Sequence, residues 1–139
     1  MFYQDTIKIE IQRDGVNFTV IEPVPFSDWA GHLYRVSAGA TSDGLSGGKL
    51  AKVEFQDEHT FLPAIAHDAG YRNQLEESLD GGGSWQRVTL SKALCDEILR
   101  ENIIDSGGSE AEAEVVYEAV KLFGQSSFDG DRESLSHVQ

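Results

Sequence analysis

The chain has 139 residues, 40% of them hydrophobic, with 24 acidic and 11 basic side chains and a formal net charge of −13. That size suits one domain with a core large enough to fold without staples, and the single cysteine, Cys95, excludes an internal disulfide framework and a cysteine-based metal site. The negative surface repels phosphate backbones at long range, so nucleic acid is not an expected partner.

Residues 5–13, DTIKIEIQR, alternate strictly, with Ile7, Ile9 and Ile11 on one side. Val16, Phe18 and Val20 alternate in the same way after Asp14-Gly15, a tight-turn pair. A β-hairpin is therefore expected over residues 5–21, ended by Pro23 and Pro25. Residues 31–38 read as a third strand. Four glycines in residues 39–49 exclude regular structure there, and 50–55, LAKVEF, reads as a short strand or connector. A first helix is expected from Thr60 or Phe61 to about Leu79, with Pro63 in its tolerant first turn. Residues 80–84, DGGGS, break the chain, and Trp85, Val88 and Leu90 suggest a strand or wing.

Ser91 is a good N-cap for a second helix over SKALCDEILRENII, with Leu94, Cys95, Ile98, Leu99 and Ile103 inward and Asp105-Ser106-Gly107-Gly108 as its stop. Ser109 with Glu112 makes a capping box for a third helix. Its apolar side is expected to hold Val115, Val116, Ala119, Leu122 and Phe123, and Gly124 to close it. The expected architecture is α+β: an N-terminal β-hairpin and short strands, a glycine-rich loop, then three helices. Residues 1–124 form the single domain and 125–139 a polar C-terminal tail. The chain start lacks the basic and apolar runs of a signal peptide, so synthesis in a reducing cytoplasm is expected.

The string with most chemical content is Ala66-His67-Asp68-Ala69-Gly70-Tyr71-Arg72. On a helix His67 and Tyr71 share a face, while Asp68 points about 100° away. An imidazole suits a general base near neutral pH, and a carboxylate suits a hard cation such as Ca²⁺. The plain alternatives are an Asp68–Arg72 surface pair at i,i+4 and a core histidine whose polar atoms are satisfied. Asp96 lies beside the apolar stripe of the second helix and needs a partner. His67 is one candidate if the two helices pack antiparallel; Lys92 or Arg100, each one turn away, is the other. Asp43 and backbone carbonyls of the glycine-rich loop are candidate metal ligands. Gly44-Leu45-Ser46-Gly47-Gly48 matches G-x-S-x-G, but without the strand and helix that a nucleophile elbow requires. Cys95, on the inward face, reads as packing.

Taken in order, Ser42-Asp43-Gly44-Leu45-Ser46, Leu62-Pro63-Ala64, His67 to Arg72, Cys95-Asp96 and Tyr117 to Gly124 resemble a domain-of-unknown-function family of tailed phages, prophages and bacteria. The resemblance covers about residues 36–124. It implies a virion-associated tail or particle protein, made in the bacterial cytoplasm, that works through contacts with other particle proteins in an oligomeric assembly. The H-D-x-x-Y string is also similar to the catalytic helix of phospholipases A2, a viral subset of which lacks disulfides. That likeness implies a calcium-dependent lipid esterase acting on phospholipid, which a particle could carry to penetrate a host envelope. His67 would be the general base, Asp96 its orienting carboxylate, Tyr71 a supporting donor, and Asp68 and Asp43 the Ca²⁺ ligands. The sequence departs from that family in the spacing of Gly39, Gly44, Gly47 and Gly48 and in extra residues from about Asp80 to Thr89.

Overall fold

The computed structural model describes residues 1–4, 6–13, 17–42 and 60–138. Two small antiparallel sheets combine with helices, strands predominating toward the N-terminus and helices toward the C-terminus, so the fold is of the α+β class. The first sheet has the order β1-β2-β5, from Ile9–Ile11, Phe18–Val20 and Thr41–Ser42. Its register sets Ile9 opposite Val20, Ile11 opposite Phe18, and Phe18 opposite Ser42. The expected hairpin strands therefore pair. Phe18 and Val20 are buried while Ile11 is 68% exposed, so the core contact on this side comes from Ile9 in β1 and from Ile7 just before it.

The second sheet has the order β3-β4-β6-β7, from Val24–Ser27, Leu33–Val36, Leu75–Ser78 and Gln86–Val88. The hairpin ends at Val20, before Pro23 and Pro25 as expected, but Pro25 then lies inside a further strand, β3. It is tolerated because β3 is the edge of this sheet and proline removes no interior ladder bond there. Val24, Phe26, Val36 and Leu75 bury one face of the sheet.

Helix α1 (Phe61–Tyr71) lies against both sheets. It stops eight residues short of the expected end at Leu79, and the stop is physical. Asn73 adopts a left-handed φ of 57°, a conformation that asparagine tolerates better than most residues. The Gln74 N–H then returns to the Ala69 carbonyl at 2.7 Å, closing the helix and releasing the chain into β6. Helix α2 (Lys92–Asp105) starts at Ser91, whose hydroxyl accepts from the Leu94 N–H. It ends where Gly107, at φ 102°, lets the Gly108 N–H reach the Ile103 carbonyl. Helix α3 (Glu110–Phe123) is capped by Ser109 accepting from the Glu112 N–H.

Residues 125–138, expected as a polar tail, form a fourth helix, α4 (Gln125–Val138). Phe128 and Arg132 hold it to the domain. The Phe128 ring meets Tyr71 edge-on at 5.2 Å, and Arg132 donates to the carbonyls of Gly70, Tyr71 and Leu90. One apolar cluster joins the sheets, α1 and the start of α2, and a second joins Ala64, Leu99, Ile103, Ala113 and Val116. Of the apolar residues expected inward on α3, only Val116 is fully buried. Val115, Leu122 and Phe123 are 55%, 67% and 59% exposed, because α3 packs on α2 through a narrow Ala113–Val116 stripe. No helix among the described residues is long and apolar enough to cross a membrane.

Candidate functional site

The site forms where α1 crosses α2. Gly70 permits the close approach: a β-carbon there would stand 2.8 Å from the Cys95 sulfur. Cys95 is buried under that contact, and burial pushes its thiol up to about 12, which removes it as a nucleophile at neutral pH. With the helices this close, Asp96, next to Cys95, faces His67 and Tyr71 on α1.

Oδ1 of Asp96 lies 2.7 Å from His67 Nε2 and accepts from the Tyr71 hydroxyl at 2.7 Å. Oδ2 accepts from Lys92 Nζ, also at 2.7 Å. Both sequence-level alternatives for the partner of Asp96 thus hold together, His67 across the helix pair and Lys92 one turn away. Arg100 instead pairs with Glu101 and Glu114. His67, Tyr71 and Asp96 are 5%, 3% and 2% exposed.

Burial by itself raises the proton affinity of Asp96. The hydrogen bonds from His67, Lys92 and Tyr71 outweigh it and hold the carboxyl below the usual carboxylate range. Asp96 is therefore ionised at neutral pH and accepts from every partner. Burial, then the bond to Asp96, pushes the Tyr71 phenol far above its ordinary value, so Tyr71 stays a donor. Nε2 of His67 must then carry a proton. In the neutral ring that leaves the lone pair on Nδ1, which meets no hydrogen-bond partner among the described residues.

Asp68 sits one residue along α1, half-buried and turned away from this cluster, and its Oδ2 accepts from the Ser42 hydroxyl at 2.6 Å. Ser42 ends β5 and directly precedes Asp43 in sequence. The Asp68 carboxylate and Ser42 hydroxyl are an all-oxygen donor pair of the kind a hard cation such as Ca²⁺ takes. They fall short of a full ligand set, and no group of three His, Cys, Asp or Glu side chains among the described residues is arranged to hold a metal. Asp43, the Asp14-Gly15 turn, the G-x-S-x-G match at Ser46 and the strand expected over 50–55 lie outside the described residues.

Sequence reasoning did not single out Ser42 or the cover formed by Phe128 and Arg132. Ser42 stood in the Ser42-to-Ser46 string only as a neighbour of Asp43, and α4 carries too few apolar residues to register as a packed helix. Comparison of the chain with protein-family models, curated proteins and solved structures finds no match.

Proposed function

We propose that this protein is a hydrolase in which His67 activates water against a carboxylic ester, with phospholipid as the substrate class that the H-D-x-x-Y resemblance suggests. One observation carries the reading: Asp96 fixes Nε2 of His67 at 2.7 Å and so directs the basic lone pair to Nδ1. Nδ1 takes a proton from water as the oxygen attacks the ester carbonyl, a step that requires the ring, 5% exposed here, to open to water and substrate. Asp96, ionised and held by Tyr71, stabilises the imidazolium that results. Collapse of the tetrahedral intermediate breaks the bond to the leaving alkoxide, which takes the proton back from Nδ1. Asp68, with Ser42 beside it, would contribute two oxygens to a Ca²⁺ site that needs further ligands, and a cation held there would supply positive charge near the developing oxyanion.

The test is a calcium titration of the purified protein followed by thermal melting, with Asp68→Asn as control and hydrolysis of phosphatidylglycerol vesicles as the assay. Expected are a calcium-dependent rise in Tm that Asp68→Asn abolishes, and turnover that His67→Gln abolishes while the fold persists. Absence of turnover with calcium in excess overturns the esterase reading.

A second reading, compatible with the first, is a phage or prophage particle component acting through protein contacts. It is favoured by α3, where Val115, Leu122 and Phe123 leave apolar area in water. It implies synthesis in a bacterial cytoplasm and residence in the virion. Co-sedimentation with purified particles, lost on replacing Leu122 and Phe123 together by glutamate, is the expected result. A protein found wholly outside particles overturns this second reading.

A further inference from the structure

We infer that Lys92 is a positioning residue of the site: its ammonium fixes the plane of the Asp96 carboxylate and, through it, the ring of His67. The inference rests on the hydrolase reading for its kinetic part only.

Lys92 opens α2 and lies one turn before Asp96. An exposed lysine–aspartate pair at this spacing contributes a few tenths of a kcal/mol and orients nothing. Here the Lys92 side chain is 13% exposed and that of Asp96 3%. Nζ lies 2.7 Å from Asp96 Oδ2, 3.1 Å from the Val120 carbonyl and 3.5 Å from the Lys121 carbonyl. An ammonium has three protons, and each has an oxygen to meet. The carbonyls belong to the last turn of α3, at the negative end of the helix dipole, and that of Val120 also accepts from the Gly124 N–H at 2.8 Å. Lys92 is thus held in place by α3 as well as by its own helix.

The division of labour on Asp96 follows. Oδ1 receives His67 and Tyr71, and Oδ2 receives Lys92. A swing of the carboxylate about its Cβ–Cγ bond would carry Oδ1 off both Nε2 and the Tyr71 hydroxyl, and with both of those bonds on one oxygen the other end of the carboxylate needs its own restraint. The bond to Oδ2 supplies it. Misplacing a reacting group by about 1 Å is enough to cost on the order of 100-fold in rate.

The test uses Lys92→Met and Lys92→Arg in the full chain, read in two ways. The first is the His67 Nε2 ring proton by NMR, visible as a downfield line because it is buried in a short bond to an anion. The second is kcat and KM on phosphatidylglycerol vesicles with calcium. We expect Lys92→Met to shift or broaden the ring-proton line and to lower kcat by roughly 10-fold or more with KM unchanged. Lys92→Arg, which keeps a cationic donor, is expected to retain the line and much of kcat. If Lys92→Met does not fold, Lys92→Gln is measured in its place, since it keeps a donor for α3 and removes the charge. An unchanged line and a kcat within twofold in the neutral variant overturn the role of Lys92. A disturbed line in a protein whose wild type hydrolyses no vesicle supports the positioning of Asp96 and removes only the hydrolase reading. No ring-proton line in the wild type overturns the positioning itself.

Discussion

His67 on α1 and Asp96 on α2 are joined by a 2.7 Å hydrogen bond with side chains 5% and 3% exposed. A carboxylate taken this far from water loses hydration worth several kcal/mol and survives only if its partners replace it. Asp96 has three such partners, His67, Tyr71 and Lys92, and one of them brings a full positive charge. The burial that makes the cluster costly is also what gives its hydrogen bonds strength and fixed geometry. A pair of this kind reads equally as a structural tie and as a preorganised base, and variants separate the two.

Asp96→Asn leaves Lys92 buried without its anion. Breaking a buried pair in this way costs about 3–5 kcal/mol. Urea denaturation should show a drop of that order in the variant, and a loss near that of a surface substitution would mean that water reaches Lys92. Activity should fall further than stability explains. An asparagine cannot fix the His67 tautomer by accepting alone, and a comparable exchange elsewhere lowers kcat about 10⁴-fold.

The same carboxyl makes the fold acid-sensitive. Asp96 is held below the usual carboxylate range in the folded chain, with burial opposing and its hydrogen bonds prevailing. Unfolded, it titrates near the ordinary aspartate value of about 3.9. Between those two values the unfolded chain binds the extra proton. The stability Asp96 contributes is therefore complete above about pH 4 and is lost as pH falls through its folded value. Stability measured from pH 6 downward should decline more steeply in the wild type than in Asp96→Asn. Parallel curves would show that other carboxylates control the acid limb.

Gly70 and Cys95 set the distance between the helices that carry the pair. A β-carbon at position 70 would approach the Cys95 sulfur to 2.8 Å and Leu75 Cδ1 to 3.5 Å. Gly70→Ala is expected to destabilise by about 1–3 kcal/mol through overpacking, despite alanine's better helix propensity. Cys95→Ala removes the obstructing sulfur, so the double variant should be more stable than the sum of the single changes allows. Strict additivity would show that the strain is relieved elsewhere.

The parts of this arrangement legible in sequence are those set by local chemistry. Ser91 and Ser109 act as caps because a hydroxyl meets orphan N–H groups whatever surrounds it. His67 and Tyr71 share a face by helical period alone, and Asp96 needed a partner because it lay beside an apolar stripe. What escaped depends on context. Pro25 sits in a strand because that strand is an edge, which the residue itself does not reveal. The four-residue strand at Leu75 was hidden in a helix-like run, although Asn73 was a legible stop. On α3 the apolar residues exceed what the narrow contact with α2 can cover, so composition overstated its buried face. Lys92 was visible as a neighbour of Asp96. Its anchorage to the end of α3 depends on packing between distant segments.

Arg132 reaches this site from α4. It donates to the Gly70 and Leu90 carbonyls at 2.9 and 2.7 Å and to the Tyr71 carbonyl at 3.0 Å, and its guanidinium lies 4.6 Å from the centre of the Phe128 ring. Phe128 in turn covers the Tyr71 ring. Helix α4 is mostly polar, and among its described side chains Phe128 and Arg132 make these contacts with α1, with Asp131 4.0 Å from Arg72. Elements with few buried apolar contacts open without unfolding the whole molecule. Arg132→Ala is expected to cost about 1–3 kcal/mol locally, since it leaves carbonyls at the end of α1 without their charged donor. Native-state hydrogen exchange should show α4 amides exchanging faster while those of α2 around Leu99 and Ile103 keep their protection. Equal acceleration in both helices would mean that α4 belongs to the cooperative core, and that Tyr71 is uncovered only when the whole chain unfolds.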